Sequence, residues 1–205
     1  MSRSHSQRNL ILFAAIVGLQ YLAAPVIYVG ITQASLLAKL DANALLANLP
    51  GASFFVMATL AALAAWAFPR VSQLKPVLMS CYGLAAITAG LTAAVLILPV
   101  SNHVKIVAVI LQSGITGATI PTAIAFLWEV LGRTTDESKR GVALGLAYGA
   151  GPVLAAVSAL VSQLILAGHF ELGPLKLQVE PIGSPHNYAL LFALVAPAMG
   201  LASFL

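Results

Sequence analysis

The sequence predicts an all-α membrane protein of six transmembrane helices with its N-terminus inside. Composition, six apolar runs of spanning length and the distribution of cations between loops carry that prediction. Of 205 residues, 60% are hydrophobic and only 8% are charged, and the mean hydropathy is +0.97. Soluble domains carry about a quarter of their residues as charges, so this chain lacks the polar surface that water requires. The apolar runs fall at about 10–35, 45–68, 77–98, 104–131, 142–167 and 188–205. Each is near the roughly 20 residues that cross about 30 Å of hydrocarbon. Inside lipid every backbone N–H needs an internal partner, so runs of this length are helices.

Cations set the orientation. With residues 1–9 as a cytoplasmic tail, Arg3, Arg8, Arg70, Lys75, Arg133, Lys139 and Arg140 lie inside, and Lys39, Lys105 and Lys176 lie outside. The excess on one side of short loops is the positive-inside pattern. The net charge of +4 then reflects loops facing an anionic inner leaflet. Basic patches interleaved with aromatics are missing, so no nucleic-acid partner is expected.

The first run is too long for a signal peptide, and no small-residue cleavage site with a polar mature domain follows it. On it, Tyr21, Pro25, Tyr28 and Thr32 fall at helical spacing on one face, with Gln20 beside them. The second run ends in the loop "AWAFPRVSQLK", and the third holds the single cysteine, Cys81, so no internal disulfide forms. On the fourth run Lys105, Gln112, Thr116 and Thr119 share a stripe, and Glu129 is the one acid within an apolar run. Polar side chains inside spans are costly, which makes both stripes functional candidates. The competing reading has each Thr bonding back to its own helix and the tyrosines sitting at helix interfaces.

The fifth run opens with "KRGVALGLAYGAGP". Gly145 and Gly149, four apart, allow a partner helix to approach closely, which is what packs helices in lipid. Pro152 has no N–H to give the carbonyl of Tyr148 and bends the helix there. Between the last two runs, "ELGPLKLQVEPIGSP" alternates Leu175, Leu177 and Val179. It forms either an extended flap over the outer mouth or a plain connection. His103, His169 and His186 lie on the outer side without ligand spacing, so neither metal nor cofactor is expected. Phosphate-cradling loops, HExxH, paired cysteines and serine elbows are all missing, and the chain does not read as an enzyme.

The stretch "LQSGITGATIPTAIAFLWEVLGRTTDESKRGVALGLAYGAGPVLAAVSALV" resembles the N-terminal half of a major facilitator superfamily transporter. The matching positions are Gln112, Gly114, Gly117, Arg140, Gly141, Gly145, Gly149, Gly151 and Pro152. Two departures stand out. Val109 occupies the position of the family's helix 4 Arg, and the loop between helices 2 and 3 keeps only Arg70 and Lys75, with Pro69 in place of the Asp.

The resemblance implies a cavity lined by helices 1 and 4. Gln20, Tyr21, Tyr28, Thr32, Gln112, Thr116 and Thr119 would then contact a small solute, polar and uncharged or amphipathic. It implies that Gly145, Gly149, Gly151 and Pro152 pack against a second six-helix half and help set which side opens. It further implies a structural charge link among Arg70, Glu129, Arg133 and Arg140. Members of the family have two six-helix halves, so a second half is expected, on a longer chain or on a partner subunit. The expected function is secondary transport by alternating access in a bacterial inner membrane. The alternative is a non-transporting membrane scaffold in a larger complex.

Overall fold

The computed structural model describes residues 3–28, 30–173 and 175–205. The side chains of Arg3 and Leu175, used above in the cation count and the flap, lie outside those described. Among the described residues, six helical spans are long and apolar enough to cross a membrane: Gln7–Lys39, Ala44–Ala67, Val71–Ile97, Asn102–Thr134, Glu137–Ala167 and His186–Phe204. The chain is therefore an all-α membrane protein in architecture, with one small β-hairpin.

Span 1 is not one continuous helix. It consists of α1 (Arg3–Ile27) and α2 (Ile31–Lys39), separated at Gly30, whose φ of 69° is left-handed. A left-handed residue stops the i to i−4 ladder, and glycine takes that conformation without steric cost. Two carbonyls near the break receive side-chain donors: Thr32 Oγ1 donates to Pro25 O at 2.8 Å, and Gln33 Nε2 donates to Val26 O at 2.5 Å. The helix also begins at Arg3, so residues 3–9, read above as a tail, continue α1 instead.

Span 2 divides at Thr59 into α3 (Ala44–Ala58) and α4 (Leu60–Ala67), and a short 3₁₀ turn at Val71–Gln73 leads into α5 (Leu74–Ile97). The fourth span is a single helix, α6 (Asn102–Thr134), longer than the apolar run because its polar ends remain helical. Span 5 starts as α7 (Glu137–Gly145), widens into a π turn at Leu146–Ala150 and continues as α8 (Gly151–Ala167). Proline at position 152 fits that widening, because it withdraws a donor where the ladder changes register. Strands β1 (His169–Leu172) and β2 (Leu175–Gln178) pair antiparallel in the register His169 to Gln178. The extended reading of this loop thus takes the form of a hairpin. Helix α9 (His186–Phe204) closes the bundle.

Small residues set the packing. Along α5, Ala85, Ala89 and Ala93 are buried at i, i+4 spacing. Against α9, a Cβ on Gly90 would lie 3.7 Å from Ala196 Cβ, and one on Gly83 would lie 3.5 Å from Ser203 Oγ. Ser203 Oγ also donates to Met79 O at 2.8 Å. Between α3 and α6 the approach is closer still. Ser113 Oγ donates to Pro50 O at 2.8 Å, and a Cβ on Gly117 would overlap the Phe54 backbone, reaching its Cα at 2.6 Å.

This contact is directly testable. Gly117→Ala is expected to destabilise the protein by about 1–3 kcal/mol, the usual cost of overpacking. Gly132→Ala, where a Cβ meets nothing within 4 Å, should be neutral or slightly stabilising. Thermal unfolding in detergent distinguishes the two, and equal melting temperatures would remove Gly117 as the contact that sets the α3–α6 spacing.

Candidate functional site

A cavity of about 240 Å³ lies between α1, α6 and the α7–α8 turn. Its walls carry Gln20, Tyr21 and Tyr28 from α1 and its end, Trp128 from α6, and Tyr148 from the π turn, over aliphatic side chains such as Val17 and Leu127. Among the described residues, no carboxylate or cation lines it.

The local structure explains how these rings meet. Gln20 and Tyr21 are adjacent, and Tyr28 lies seven residues further along, so all three reach one side of the helix. Gln20 is buried and donates to the Tyr82 hydroxyl on α5, which fixes its amide at the back of the cavity. The Tyr21 ring lies over Gly151, where a Cβ would overlap the ring and sit 2.8 Å from Cζ. Glycine at 151 is therefore what lets span 5 come close enough to place Tyr148 at the cavity. Trp128 and Tyr148 are stacked, with centroids 5.9 Å apart and planes 8° from parallel. Phe13 supports Trp128 edge-on at 5.1 Å, and Tyr28 meets Phe54 edge-on at 6.0 Å. The result offers ring faces, phenol hydroxyls and an amide without formal charge. Such a surface stacks on rings and covers apolar faces, while the polar tips hydrogen-bond.

The candidates taken from the sequence divide into separate places. Gln20, Tyr21 and Tyr28 come together in the cavity. Thr32 lines a different cleft between span 1 and α8, beside Ser162 and Gln163, and its hydroxyl is already given to Pro25 O. Gln112, Thr116 and Thr119 are buried and do not reach the aromatic cavity. Gln112 Nε2 donates to Thr116 Oγ1 at 2.8 Å, and Thr119 Oγ1 donates back to Ile115 O at 2.9 Å. This stripe lies roughly two and a half to four and a half turns away from Trp128 along α6, and the Thr116 and Thr119 hydroxyls bond within the helix itself. Helix 4 contributes Ile124, Leu127 and Trp128 to the cavity instead.

On span 5, Gly151 faces inward, whereas Gly145 and Gly149 have nothing within 4 Å of a built Cβ. No described element of this chain covers that face. Pro152 is exposed on the first turn of α8.

The expected charge link is local. Glu129 pairs with Arg133 on its own helix at 2.5 Å, both about half exposed. Arg140 Nη2 donates to Gly132 O at 2.6 Å, and Arg140 lies 3.6 Å from Glu137. It thereby satisfies a carbonyl at the end of α6. Arg70 makes no ion pair among the described residues; its backbone N–H donates to Gln73 Oε1 at 3.1 Å. Glu129 thus has its partner one helical turn away, the distance at which side chains on one helix meet. Among the described residues, no group of three or more His, Cys, Asp or Glu side chains could hold a metal.

Trp128 and Tyr148 were not among the candidates. Trp128 is next to Glu129, and Tyr148 lies inside the glycine motif, so charge and glycine spacing drew the reading to their neighbours. Aromatic residues in spans otherwise built of small and aliphatic ones are the signal that could have found them.

No family model, curated protein or solved structure matches this chain.

The Gly151–Tyr21 contact yields a test. Gly151→Ala should lower stability by about 1–3 kcal/mol, and adding Tyr21→Ala should recover most of that loss, a coupling that thermal melts of the two single variants and the double variant measure. Gly149→Ala should lack this coupling.

Proposed function

We propose that the chain is one six-helix half of a secondary transporter of the major facilitator type, with its N-terminus on the cytoplasmic side of a bacterial inner membrane. It carries a small solute, uncharged or amphipathic, by alternating access against a second half. Gln20, Tyr21, Tyr28, Trp128 and Tyr148 form this half's share of the solute site. The observation that carries the reading is the uncharged aromatic cavity beside a glycine face that no described element of this chain covers. A second half covering Gly145 and Gly149 would enclose the cavity between two bundles, where solute sites of such transporters lie. The cation excess at the N-terminal side of the bundle supports the orientation. The proposal assigns the chain no catalytic chemistry.

A second reading, a non-transporting scaffold, draws support from the charge pattern. Glu129 is paired within its own helix, so the loop carrying Arg70 lacks the ionic tie expected of a gating element.

Of the two tryptophans, Trp66 is 82% exposed on the surface of the bundle. Trp66→Phe therefore leaves Trp128 as the only tryptophan reporter. In proteoliposomes of the full chain, a panel of methyl glucoside, uridine and indole should include at least one solute that changes Trp128 emission saturably. Tyr148→Ala should weaken that response by about five- to tenfold, the worth of one aromatic pair. A flat response to every solute, with no uptake into the vesicles, would favour the scaffold.

A further inference from the structure

We infer that the cation-rich end of the bundle holds a site for one acyl chain of an anionic phospholipid. A separate cavity of about 220 Å³ lies there among α1, α5, α6 and α9. Three helices each supply an i, i+3, i+4, i+7 stripe to its walls, beginning at Asn9, Lys75 and Leu127. Seven residues of helix rise about 10 Å, so the groove runs parallel to the helix axes over most of one leaflet's roughly 15 Å of hydrocarbon. That is the direction and depth of a lipid tail.

The walls suit a tail and little else. Several of their hydrogen-bonding groups are turned to the protein. Asn9 Nδ2 donates to Thr134 O at 3.2 Å, Ser203 Oγ donates to Met79 O at 2.8 Å, and the Tyr82 hydroxyl accepts from Gln20. The remainder of the surface is aliphatic and aromatic, with Ile16, Leu131 and Ala202 among the buried parts. A polar solute would find few partners inside.

The mouth is different. Lys75 stands at the first turn of α5, exposed, and it makes no ion pair among the described residues. A phosphate there would face the ammonium and the positive end of the α5 dipole together. The occupant is therefore a phospholipid whose headgroup carries net negative charge, its tail in the groove and its phosphate at Lys75.

Trp128 can read this site, because Phe13 lines the groove and packs on the Trp128 ring. The experiment uses the full chain with Trp66→Phe, in phosphatidylcholine vesicles doped with lipids brominated in the acyl chain. Brominated phosphatidylglycerol should reach half-maximal quenching at about one fifth the mole fraction that brominated phosphatidylcholine needs, the effect of one surface cation. Lys75→Gln should bring the two lipids level. Ala202→Phe, which fills the groove, should remove the preference as well. If that variant fails to fold by far-UV circular dichroism, the exposed Lys75→Gln carries the test alone. Equal quenching by both lipids in the parent protein would show ordinary surface contact and overturn the inference. So would a preference for phosphatidylglycerol that survives Lys75→Gln or a folded Ala202→Phe.

Discussion

Every carbonyl freed by a proline or a left-handed glycine inside these spans needs a donor from the protein, because hydrocarbon supplies none. Much of the internal polarity is turned to backbone carbonyls, at the break in span 1 and elsewhere in the bundle. Thr32 and Gln33 serve carbonyls beside the break at Gly30. Ser113, Ser158 and Ser203 donate to the carbonyls of Pro50, Leu22 and Met79 on neighbouring helices. Hydroxyls that look like solute ligands in a hydropathy reading are in this way consumed by the bundle. What stays available is the set of aromatic rings around the cavity, whose faces need no hydrogen bond to be stable in an apolar setting.

Steric economy sets the second level of organisation. Lipid tails are as apolar as leucine, so helices associate through close contact between small residues. Gly117 against the Phe54 backbone and Gly151 against the Tyr21 ring are the tightest of these contacts. The first fixes α6 on α3, and the second brings span 5 onto α1, where Tyr148 meets Trp128. The cavity therefore depends on glycines that never touch its contents. Gly145 and Gly149 lie on the same span but point to an uncovered face, so one helix presents small residues inward and outward at once.

The spans were legible because length and apolarity are additive along a run, and a window of residues averages them well. Gly30 was not, because one left-handed residue hardly changes mean hydropathy, and 10–35 read as a single helix. The cavity was half legible. Tyr21 and Tyr28 share a helix face by simple periodicity, whereas Tyr148 reaches them through the tertiary contact at Gly151 and Trp128 through the packing of α6 on α1 at Phe13. No spacing within the chain links those positions. The stripe on α6 misled for a related reason: periodicity assigns a face but not a depth, and Gln112 and Thr116 lie on a level where the Gln112 amide donates to Thr116 rather than to the cavity.

The π turn at Leu146–Ala150 holds one residue more than an α turn would over the same rise. If that surplus residue passed out of the turn, α7 would screw about 100° relative to α8. Tyr148 would swing away from the stack on Trp128, and Gly145 would turn with it. A single wide turn thus sets both where the aromatic wall of the cavity stands and the direction in which Gly145 points.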